Sequence, residues 1–136
     1  MQVYKVMEPT QDIMTVEDVR IFVDSFYEKI RQDELLATVF NEKIQNWPQH
    51  LEKMYAFWQT VLLGKHAYNG SPFPPHAKLP INHIHFTKWL ELFVSTIDKL
   101  FIGNKAKEAK WRAEKMAEMF EYKIEYYRIQ GSSTLV

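Results

Sequence analysis

The chain has no cysteine among its 136 residues. Disulfides, thiolate catalysis, thiolate ligation of zinc or haem iron, and covalent attachment of a c-type haem are thereby excluded. Glycine is scarce, at four, which suits a helical protein better than a sheet protein. No apolar run approaches the length that a transmembrane helix needs. The opening residues, MQVYKVMEPTQD, hold no apolar stretch of signal-peptide length. The expectation is a cytoplasmic protein with no membrane partner. Charge of one sign is lacking too: 17 Lys+Arg face 17 Asp+Glu, for a formal net charge of zero. That argues against nucleic acid as a partner. There is no Gly-rich phosphate loop, no HExxH and no nucleophile elbow.

What is present in quantity is aromatic. Phe, Tyr and Trp make up 15% of the chain, enough to build a wide core or one that wraps a flat apolar guest. The length implies a single domain over 1–136, with residues 1–14 as a flexible lead-in and 131–136 as a flexible tail. No strand pattern competes with the helical periods, so the fold class is all-α.

The first helix is expected from a capping box, Thr15 with Asp18, to Gln32. Its inner face carries Val19, Phe22, Val23, Phe26, Tyr27 and Ile30. Asp33 caps a short helix, Glu34 to Phe40, with Leu35, Leu36, Val39 and Phe40 buried. Asn46 and Pro48 open the next helix, which Gly64 stops near Leu63. Its inward stripe reads Trp47, His50, Leu51, Met54, Phe57, Trp58, Val61, Leu62. A third long helix spans about Ile81 to Phe101 and carries Phe86, Trp89, Leu90, Phe93 and Ile97. The last runs from about Lys105 to Tyr127.

Between the second and third long helices lies AYNGSPFPPHAKLPINHIHFTKWL, residues 67–90, with three of the five histidines. Prolines 72, 74, 75 and 80 stiffen it. His76 therefore sits on a short rigid segment, a suitable mount for a metal ligand, although a histidine in such a loop is more often solvated. His83 and His85 are not a chelating pair, because positions i and i+2 of a helix point about 200° apart. Tyr27, His50 and Trp89 fall on inner faces of three helices. Each alone reads as core. Together with His76 they suit a cavity in which one histidine ligates a metal and the other groups meet what binds its far side.

The stretches FYEKIRQDELLATVF, W-x-x-H-x-x-K-M-x-x-FW-x-x-x-LLG, Y-x-G-x-P-x-x-x-H-x-x-LPI and HFTKWLELF resemble the group III truncated haemoglobins of bacteria over about residues 22–120. The resemblance implies a truncated globin fold, two helical pairs sandwiching a haem. It places the proximal iron ligand on His76 and the distal groups on Tyr27, His50 and Trp89. Phe40 becomes a haem contact, and Met54 and Phe57 line the distal wall. Leu79, Phe86 and Phe93 complete the expected cofactor-binding set. The implied cofactor is haem b. The implied partners are O2, with NO, CO or peroxide as further ligands, and an electron donor if the chain turns over substrate. Two other readings stay open: an oxygen carrier or sensor without turnover, and a haem-free all-α interaction module.

Overall fold

Residues 8–134 are described by the structure, a computed structural model, with backbone alone for 131–134. The outer parts of the expected lead-in (1–7) and tail (135–136) lie outside the described residues. Five α-helices and one 3₁₀ turn follow in order: α1 Val16–Gln32, α2 Glu34–Lys43, α3 Trp47–Leu63, the 3₁₀ turn Pro74–His76, α4 His83–Leu100 and α5 Asn104–Thr134. Among the described residues there is no strand, and no helix is long and apolar enough to cross a membrane.

Local signals set most boundaries. The Thr15 hydroxyl accepts from the Asp18 N–H while the Asp18 carboxylate accepts from the Thr15 N–H, so both ends of the box close. Asp33 accepts from Leu36 N–H and starts α2. Asn46 accepts from Gln49 N–H, and Pro48 stands in the first turn of α3, where no N–H is missed. Gly64 ends α3 in the left-handed region at φ 68°. α4 begins at His83, two residues later than the hydrophobic pattern implies. Asn82 caps it, and the His85 ring accepts from the Asn82 N–H at 3.1 Å. α2 runs three residues past Phe40, and α5 continues beyond Tyr127. Around Tyr127 and Arg128, α5 packs against the loop that precedes α4. Helical stability comes mainly from such packing rather than from propensity.

α1 packs against α3 and α4, α4 against α5, and α2 lies on α1. All six expected inner residues of α1 are buried. An aromatic stack joins α3 to α4: Trp58 lies on Phe93 at 5.1 Å, and Phe93 lies on Trp89 at 5.7 Å. Phe22 meets Trp58 and Phe93 edge-on. A second cluster, Phe73, Ile81, Phe120 and Ile124, ties the loop before α4 to α5. The structure departs from the expected faces in α2 and α3, with Val39 and Phe40 only half-buried. Leu35 is exposed and Leu36 alone of α2 is buried. Tyr55, outside the predicted stripe of α3, is buried and donates its hydroxyl to the Asp24 carboxylate of α1.

Part of the aperiodic lead-in makes a specific contact. The Asp12 carboxylate accepts from the N–H groups of Lys105 (2.9 Å) and Ala106 (2.8 Å), two donors in the first turn of α5 that have no partner within the helix. Ile102 N–H reaches the Gln11 carbonyl, and Ile13 is buried. Gly103, at φ 137°, leaves room for this approach, since a Cβ there would lie 2.5–2.8 Å from the Asp12 side chain.

Candidate functional site

The two clusters leave a cavity of about 290 Å³ between them. α1 supplies Tyr27, and α2 supplies Leu36, Val39 and Phe40. α3 supplies His50, Lys53, Met54 and Phe57. The connecting loop supplies His76 and Leu79, α4 supplies Phe86 and Trp89, and α5 supplies Met116 and Phe120. The lining is overwhelmingly apolar, with a few polar groups, as expected of a cofactor site.

His76 is oriented by its own segment. Its Nδ1 lies 2.6 Å from the Pro72 carbonyl oxygen. A carbonyl only accepts, so Nδ1 carries the proton and Nε2 keeps its lone pair. The His76 ring rests on Phe120, centroids 4.9 Å apart. Burial lowers its pKa, and the Pro72 bond opposes that only in part. His76 is thus neutral at pH 7, the form that binds a metal.

On the α1–α3 side, Tyr27 and His50 meet edge-on at 5.2 Å, and Trp47 lies against both rings. Burial pushes the Tyr27 phenol far above its ordinary value, so it stays a donor. His50 is pushed down to about 4 by burial, then by the charges His76 and Lys53 would present. The Nε2 of His50 is buried with no hydrogen-bond partner. Such a buried orphan calls for a partner that the protein itself does not supply. Among the described residues, neither the Tyr27 hydroxyl nor the Trp89 indole N–H has a protein partner. Trp89 packs edge-on to Phe26 at 5.5 Å.

Nine of the ten expected site residues line this one cavity: Tyr27, Phe40, His50, Met54, Phe57, His76, Leu79, Phe86 and Trp89. Phe93 does not. It lies behind Trp89, stacked on it and on Trp58, and is 1% exposed. Sequence reasoning did not single out Lys53 or Phe120 for the site. Lys53 stands three positions after His50, which puts it on the same helical face. Phe120 meets His76 from 44 positions along the chain, a contact that no local pattern signals. His83 and His85 have different neighbours. His83 faces Glu121 at 2.9 Å, and His85 caps α4 and borders the cavity.

No three His, Asp or Glu side chains among the described residues converge to hold a bare ion. An iron held here by His76 needs its other ligands brought with it, and a porphyrin brings four nitrogens. The donor set and the apolar lining fit that group.

A sandwich of helical pairs that carries one oriented histidine into an apolar cavity defines a haem-binding globin. The chain belongs to the bacterial-like globin family, whose model matches residues 12–124, and within it the likeness is to group III truncated haemoglobins. Over 116 residues it is 31% identical to "Group 3 truncated hemoglobin ctb" of Campylobacter jejuni, covering 82% of this chain and 91% of that one. The crystal structure of a group III truncated haemoglobin from the same species matches with a TM-score of 0.76 at 30% identity, again over 82% and 91%.

Proposed function

We propose that this globin holds haem b through His76 and takes O2 and other diatomic ligands under the control of Tyr27, His50 and Trp89. The observation that carries this reading is the 2.6 Å bond from His76 Nδ1–H to the Pro72 carbonyl, which leaves Nε2 as a free lone pair bordering the cavity. Bound haem supplies an iron that accepts small gases such as O2, NO or CO and exchanges electrons. The chain supplies the rest. His76 offers a neutral, oriented nitrogen. The apolar wall excludes water. Tyr27 O–H and Trp89 N–H are unpartnered donors, and His50 Nε2 is a third polar atom at the same cavity. Donors held against a guest of partly negative charge stabilise it and slow its departure. Slow release suits redox or detoxifying chemistry on O2, NO or peroxide, fed by an external electron donor, better than bulk transport.

The absorption spectrum of the purified chain, before and after addition of haem, tests the reading. A Soret band is expected, and His76→Ala should lose the haem or require added imidazole. An unchanged spectrum in His76→Ala would move the ligand elsewhere. A chain that takes up no haem would leave the all-α interaction module. Turnover with NO or peroxide separates a detoxifying role from that of a carrier or sensor.

A further inference from the structure

The segment that mounts His76 is held internally by short-range bonds. His76 N–H donates to Phe73 O, Leu79 N–H to His76 O, and Ile81 N–H to Leu79 O. These shape the segment but do not locate it against the helices. Its long-range polar ties come from α5. Arg128 Nη2 donates to the Leu79 carbonyl at 3.1 Å and to the Ile81 carbonyl, the two carbonyls that flank Pro80. Apolar ties reach the same stretch of α5. Phe73 packs on Phe120 (5.4 Å) and Tyr127 (6.0 Å), and Lys123 lies over its ring at 5.0 Å.

We propose that Arg128 is a positioning residue for the iron ligand: it clasps the backbone on both sides of Pro80 and so sets where His76 stands against α5. The inference rests on the haem reading above. Pro80 lacks an N–H, so at that position the loop has no backbone donor of its own. One terminal guanidinium nitrogen has two protons, which match two carbonyls in a fixed planar geometry. A lysine ammonium on a shorter arm reproduces the charge but not that fork. Without the clasp, Phe73 and Phe120 still hold the loop near α5, but the Leu79–Ile81 stretch gains freedom, and His76 with it. The predicted loss therefore concerns the ligand's placement rather than the fold.

The test compares wild type, Arg128→Met and Arg128→Lys. Methionine keeps an apolar stem and removes the donors. In the apoprotein, amide hydrogen exchange at Leu79 and Ile81 should quicken in Arg128→Met, while the amides of α1 stay as in wild type. In the holoprotein, haem transfer to an acceptor globin should speed up about tenfold or more. The iron–histidine stretching band in the resonance Raman spectrum should shift or broaden. Arg128→Lys should recover part of each change. Unchanged haem loss with an unchanged stretching band in Arg128→Met overturns the proposal. So does faster exchange spread evenly over α1 and the loop, which would make Arg128 a contributor to global stability alone. A wild type that takes up no haem refutes the haem reading instead, and the apoprotein exchange then decides whether the clasp exists.

Discussion

The Tyr27 ring stands edge-on to the His50 imidazole, centroids 5.2 Å apart and planes at 88°. One residue comes from α1 and the other from α3, so the contact closes the cavity on the side where these two helices meet. The hydroxyl of the first and Nε2 of the second are left for whatever enters.

Tyr27→Phe removes a hydroxyl and little volume. A hydrogen bond involving a charged group contributes roughly 1.5–3 kcal/mol, so O2 dissociation should quicken about tenfold to a hundredfold. Trp89→Phe should act in the same direction, and the double variant should exceed either one. Stopped-flow displacement of O2 measures all four rates. Equal rates throughout would remove the hydrogen-bond model.

His50 should make ligand entry depend on pH. Its inward form has a pKa of about 4, below the ordinary 6.5, because burial above all, and then the charge of Lys53 and the one His76 would carry if protonated, disfavour the imidazolium. The neutral inward ring is therefore fully favoured above about pH 6.5, and this preference is lost as pH falls towards about 4. Protonation then drives the ring out to solvent and opens the path. CO association after flash photolysis should be flat from pH 8 to about 7 and accelerate below. His50→Leu should be flat throughout while keeping its haem. The same slope in both proteins would show that another group is the gate.

The Asp12 cap should be visible as a pH-dependent stability. Burial raises its pKa, but N–H donors from Lys105, Ile13 and Ala106, with the Lys105 charge, outweigh that and leave it lowered. A lowered carboxyl stabilises the fold above its unfolded pKa and loses that contribution as pH falls through the folded value. Asp12→Asn keeps an acceptor but loses the charge facing the N–H groups at the start of α5, and should cost about 1 kcal/mol at neutral pH. Urea titrations should show the gap from wild type closing below about pH 4. A gap independent of pH would mean that the charge is not involved.

Phe93 should behave as core and not as a cofactor contact. Phe93→Ala empties the stack between Trp58 and Trp89, which should cost about 3–5 kcal/mol in urea denaturation. At low temperature the folded fraction should still bind haem with the wild-type spectrum. Loss of haem without loss of stability would return Phe93 to the cavity wall.

Much of the chain is settled by local chemistry. Thr15, Asp33 and Asn46 begin helices through their own side chains, and Gly64 ends one because it lacks a Cβ, so each acts within a few residues of where it stands. The 3.6-residue period likewise identifies all six buried positions of α1. The Pro-rich segment gives His76 its mount through bonds within a few residues. Periodicity, however, reports only which positions avoid water. A cavity and a packed core avoid water equally, so Phe93 shares the pattern of Phe86 and Trp89, and the approach of Phe22 and Phe26 from α1 and Trp58 from α3 decides that Phe93 is core. The remaining decisions are made across the fold. Asp12 meets the start of α5 from 94 residues away, and Arg128 reaches the Ile81 carbonyl from 47. Which polar group meets which orphan backbone atom depends on how the helices are docked, and docking leaves no period in the sequence.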